Sequence, residues 1–170
     1  MLEANMAMTE AVPADGSAIR KTVRVFAVLC ALAVAAAPLR AGAHDPALIE
    51  KLARGTFEET SAGIREALKE NKMAIVRQIH FHDMLSMVGI ESESMMTFET
   101  FHPRFGKDIY ANDRAAFIEA PLRIHLRQTD DGVVVRYRLP SSVFSPYQGL
   151  SDMGAKLDAI FADVVGRVAD

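Results

Sequence analysis

His80 and His82 stand two residues apart in an alternating segment, where a strand would place both imidazoles on one face, about 6–7 Å apart. Two neutral imidazoles so placed suit a shared metal ion. Met84 and Met87 follow at i, i+3 spacing, and thioether sulfur beside imidazole nitrogen suits copper. The plain alternative is a polar strand face followed by methionines that fill core space. Arg123, His125 and Arg127 form a second constellation on one face of an alternating segment, and Arg136 and Arg138 occupy the polar face of the next. Antiparallel pairing sets such residues side by side, where like charges repel. That crowding is answered by an anionic ligand, by a homodimer contact, or by carboxylates that make it an ordinary solvated face. His102, beside Pro103 with Glu99 and Arg104 near in sequence, offers a loop imidazole for acid/base chemistry or axial haem ligation. Its plain alternative is a turn residue whose ring caps a backbone group.

The rest of the sequence narrows the chemistry. It contains no CxxCH, no serine in a nucleophile-elbow context and no glycine-rich phosphate loop. No complete catalytic set assembles from these residues. The expected function is a small binding module without catalysis of its own, for a small molecule, a metal ion or a haem. Two alternatives stand beside it: a periplasmic accessory protein for copper or haem, and an enzyme using His102 as acid/base.

Near the start, Arg20, Lys21 and Arg24 flank an uncharged run of 15 residues, Val25 to Leu39, followed by Ala41-Gly42-Ala43. Basic flank, apolar run and small-residue site in that order are the pattern of a secretory signal peptide. The run is short of the roughly 20 residues that span a bilayer. Cleavage is expected between Ala43 and His44, dividing the chain into an extension with signal peptide (1–43) and a domain (44–170). The destination is periplasmic or secreted, with membrane contact through the uncleaved segment. Cleavage removes Cys30, the chain's one cysteine, and with it disulfides and thiol chemistry. The remaining 127 residues carry 15 basic and 19 acidic side chains, without the clustered basic face of a nucleic-acid binder. His44 becomes a chain terminus, whose amine and imidazole together can chelate copper(II) with a second histidine.

The elements that must position these residues are read from periodicity. Ala47 to Arg54 is too short to decide between helix and strand. Thr56 with Glu59 forms a capping box ahead of a helix over 57–70, and Asn71 is its left-handed stop. Met73 to Phe81 alternates, with Met73, Ile75, Ile79 and Phe81 on one side and Arg77 as the exception. Asp83 caps a short helix to Val88, ended by Gly89. Met95 to Phe101 reads as a strand broken at Pro103, followed by helix or loop-and-helix over 105–118. Leu122 to Arg127 and Val133 to Leu139 alternate around Asp130-Asp131-Gly132, a hairpin. An apolar stripe from Met153 to Val168 marks a last helix. The expected class is α+β: a small two-layer domain with an antiparallel sheet and a C-terminal hairpin pair packed against helices.

Phe57-Glu58-Glu59-Thr60, His102-Pro103, Ala120-Pro121-Leu122 and the run from Asp131-Gly132 to Tyr137-Arg138-Leu139-Pro140 occur in an order that resembles the domain of unknown function 302 family. The resemblance covers Leu48 to Tyr147. It departs from the family pattern at Asn71-Lys72, where glycine is usual, and at His102, where asparagine is common. The resemblance implies a small α+β fold with an antiparallel sheet, often paired as a dimer. It implies no activity and no catalytic residues.

Overall fold

The computed structural model describes residues 47–169. The signal-peptide and cleavage expectations, Cys30 and His44 lie outside the described residues. The strands are β1 (Leu48–Ala53), β2 (Ala74–His80), β3 (Met95–Phe101), β4 (Leu122–Thr129) and β5 (Gly132–Arg138). The helices are α1 (Phe57–Glu70), α2 (Phe81–Ser86), α3 (Pro103–Asn112), α4 (Pro140–Phe144) and α5 (Ser151–Gly166), with a 3-10 turn over Arg114–Glu119. All five strands form one antiparallel sheet in the order β1-β5-β4-β3-β2. The expected α+β class and the β4–β5 hairpin are both present.

Alternation in β3, β4 and β5 sends Met96, Phe98, Ile124, Leu126, Val133 and Val135 to one face, all fully buried. Ile64 and Leu68 of α1 and Phe161 and Val164 of α5 complete this core. Each large side chain so buried contributes about 1.5–3 kcal/mol relative to exposure. The capping box starts α1 as expected: the Glu59 N–H donates to Thr56 Oγ1 at 3.2 Å, and the Thr56 N–H to the Glu59 carboxylate at 2.9 Å.

Three readings need correction, and one left open is settled. The left-handed residue after α1 is Lys72 (φ 58°), whereas Asn71 has φ −78°. The Lys72 N–H donates to the Lys69 carbonyl and the Met73 N–H to the Leu68 carbonyl, both at 2.9 Å, which is a Schellman ending. It explains why glycine suits that position. β1 resolves the undecided segment as a strand, because its partner β5 lies far along the chain and local periodicity does not register it. A bulge between Ile75 and Arg77 breaks the phase of β2, so Ile75 pairs with Thr100 on the helix side and Ile79 with Thr97 on the other. Arg77 is therefore in phase with Ile79 rather than an exception to it. Finally, α2 begins at Phe81, two residues before Asp83, with His80 at its N-cap position. His82 consequently belongs to a helix turn and not to the strand that carries His80.

Candidate functional site

The sheet face turned away from α1 and α5 gathers most of the charged residues singled out in the sequence. Register places Ile79, Thr97, His125, Arg136 and Glu50 in one row across all five strands. Arg77, Glu99 and Arg123 form a neighbouring row on β2, β3 and β4. Met95 and Arg127 begin a third, continued by Val134 and Leu52.

At the centre, Thr97 Oγ1 and His125 Nδ1 are 2.9 Å apart in a hydrogen bond. Thr97 is 5% exposed and His125 is half-buried. Burial, and after it the Arg136 and Arg127 guanidiniums, push the His125 imidazole below its ordinary pKa against a smaller raising influence from the Met96 backbone. The ring is therefore neutral at pH 7.

Carboxylates answer the arginines. Glu99 lies 3.7 Å from Arg123 and 3.8 Å from Arg77, dividing one negative charge between two guanidiniums. Glu50 pairs with Arg136, and Glu93 with Arg127 at 3.4 Å. The Arg127 guanidinium helps hold the exposed Glu93 carboxyl low, behind the stronger effect of a backbone hydrogen bond.

Two depressions open on this face, and Thr97, Arg123 and His125 line both. One, of about 680 Å³, lies beneath α2 and is walled by Ile79, Phe81, Met84, Leu85 and Met95. The Phe81 ring stands edge-on to His125 at 6.0 Å between centroids. The other, of about 490 Å³, lies toward the segment before β4 and carries Arg136, Arg138 and Glu119 beside Ile118, Leu48 and Val143. Together they make a trough, apolar at one end and cationic at the other.

The remaining candidates divide. His80 and His82 approach each other across the β2–α2 corner, ring centroids 5.7 Å apart, and Asp83 joins them. Met84 lines the trough instead, and Met87 is 84% exposed. His102 caps α3: its Nδ1 accepts the Arg104 N–H at 3.1 Å, with its ring against Phe105. Arg123, His125, Arg136 and Arg138 surround one trough, whereas Arg127 sits in the adjoining row.

Thr97, Phe81 and the answering carboxylates Glu50 and Glu99 were not anticipated as site residues. Alternation in Met95–Phe101 does put Thr97 and Glu99 opposite Met96 and Phe98, a usable signal. Nothing local announces that Glu50 meets Arg136.

With that geometry established, the chain can be set beside known proteins. No curated protein matches it. Among solved structures, an uncharacterized conserved protein, DUF302, from Bacillus stearothermophilus shares the fold: TM-score 0.65, 16% identity, covering 72% of this chain and 98% of that one. The domain of unknown function DUF302 matches residues 49–167, nearly the whole described sheet-and-helix unit. The chain belongs to the DUF302 family.

Proposed function

We propose that this protein is an exported, non-catalytic binding module that takes a small amphipathic molecule into the trough. The ligand's apolar body lies under α2, and its anionic head lies among Arg123, Arg136 and Arg138. One observation carries the reading: an apolar depression and an arginine-lined one have Thr97, Arg123 and His125 in common among their lining residues. Their sizes fall in the range of small-molecule sites, about 300–1,000 Å³. Because Glu99 serves two guanidiniums, positive charge remains available at the cationic end. A guanidinium presents a planar fork of donors to a carboxylate or phosphate. A neutral His125, fixed by Thr97, supplies a polar floor without adding a further cation. His102 caps α3 through Nδ1, the plain reading of a turn histidine. Export to the periplasm or medium rests on the Arg20–Ala43 pattern.

Calorimetric titration of the full chain with laurate tests the ligand reading. One laurate per chain is expected, with affinity falling about tenfold or more in Arg123→Gln and Arg136→Gln, the loss of a charge-assisted hydrogen bond. Equal affinity in the wild type and both variants overturns it. So does a salt-sensitive homodimer that covers this face and excludes laurate, in which case the arginines are a dimer contact. Export is checked by mass spectrometry of the protein recovered from outside the cytoplasm, where a mature terminus at His44 is expected and an intact terminus contradicts it.

A further inference from the structure

His80, His82 and Asp83 present one imidazole nitrogen each and a carboxylate oxygen within 4.8 Å of one another. Among these, His82 Nε2 and Asp83 Oδ1 are already 3.4 Å apart. A tetrahedral ion with bonds of about 2.0–2.2 Å holds its donors roughly 3.3–3.6 Å apart, so this pair stands at ligating separation. His80 is exposed and its ring is free to turn the remaining distance.

The His82 ring is held from behind. Its Nδ1 lies 2.9 Å from the Met95 carbonyl oxygen, and its edge packs against Phe57 at 6.2 Å between centroids. A ring that ligates through Nε2 carries its proton on Nδ1, where the Met95 carbonyl accepts it. Such a backbone partner fixes tautomer and ring orientation in metal-binding histidines. The Met95 N–H, 3.1 Å from the same nitrogen, is the competing partner in the other tautomer.

We infer that the β2–α2 corner binds a divalent transition-metal ion through His80, His82 and Asp83, leaving its outward positions to water. Two imidazoles and a carboxylate make a nitrogen–oxygen donor set, which suits zinc, copper(II) or nickel. Met84 lines the trough and Met87 is 84% exposed, so the inference rests on the nitrogen and oxygen donors alone. None of the three ligands lines the trough, and ion binding does not require the trough to be occupied.

The test is calorimetry on the metal-free full chain with zinc chloride, repeated with copper(II) and nickel salts. One ion per chain is expected. His80→Ala and Asp83→Asn, both at exposed positions, should each weaken binding at least about tenfold, since loss of even an outer-shell partner costs 10–100-fold. His102→Ala should leave metal affinity unchanged. Cobalt(II) should give a visible ligand-field absorption in the wild type that His80→Ala abolishes. Absence of binding, or one-to-one binding that survives both His80→Ala and Asp83→Asn, overturns the inference.

Discussion

The two faces of the sheet are built from the same strands and do opposite things. Toward α1 and α5, Phe98, Ile124 and Leu126 are fully buried in a continuous apolar core. On the reverse, Thr97, Glu99, Arg123 and His125 alternate with them and line a trough. One face converts side-chain area into stability. The other holds polar groups in a fixed array and leaves concave space above them. The difference teaches where function should be sought: stability should concentrate on one phase of each strand and recognition on the other.

The largest effect should come from the covered face. Phe98→Ala should destabilise the domain by about 3–5 kcal/mol, from lost burial and the cavity left behind, read as a drop in denaturant midpoint. A cost below that of an open-face substitution would break the comparison. Thr97→Val keeps the shape but leaves His125 Nδ1 without its partner. It should cost about 1–3 kcal/mol, measured by thermal or denaturant unfolding, and a neutral result would mean that the His125 contact does not organise the floor.

Lys72→Gly should stabilise by about 1 kcal/mol, because a side chain in the left-handed region carries a strain that glycine avoids. A raised Tm with unchanged laurate affinity would keep helix-side stability separate from open-face recognition. Arg123 is 72% exposed, and its partner Glu99, only 16% exposed, keeps Arg77 at 3.8 Å when Arg123 is removed. Arg123→Gln should therefore change stability by less than about 1 kcal/mol while weakening ligand binding.

Acid sharpens the contrast least in size but identifies a single residue. The folded state holds the His125 pKa below its ordinary 6.5, chiefly by burial and then by Arg136 and Arg127. As pH falls below about 6.5 the unfolded chain takes up the proton first. Stability is therefore complete above that pH and is lost progressively toward the folded-state value. A stability–pH curve should show this decline, and His125→Asn should flatten it.

How much of this was legible depends on how far apart in the chain the cause lies. The helix over 57–70 was readable because its capping box and apolar stripe are local, and β3, β4 and β5 because alternation reports a half-buried strand directly. β1 was not, since Leu48–Ala53 becomes a strand through pairing with β5. Alternation misses the phase of β2 because the bulge at Val76 adds a residue that periodicity does not flag. The arginines of the open face were visible, but not their answers, because the register that joins Arg136 to Glu50 is non-local. The His–Met cluster was visible as composition. With α2 starting at Phe81, His80, His82 and Asp83 gather at the corner, and Met84 is among the residues that line the trough.

The central claim is that the open face recognises an amphipathic anion. Its most direct test is a backbone and side-chain NMR map of the protein titrated with laurate. The account predicts saturable shifts at Thr97, Arg123, His125 and Arg136 of the open face and at Phe81 and Met84 beneath α2, with Phe98, Leu126 and Val135 unmoved. Shifts confined to the helix-side core, or spread over the surface without saturation, would contradict it.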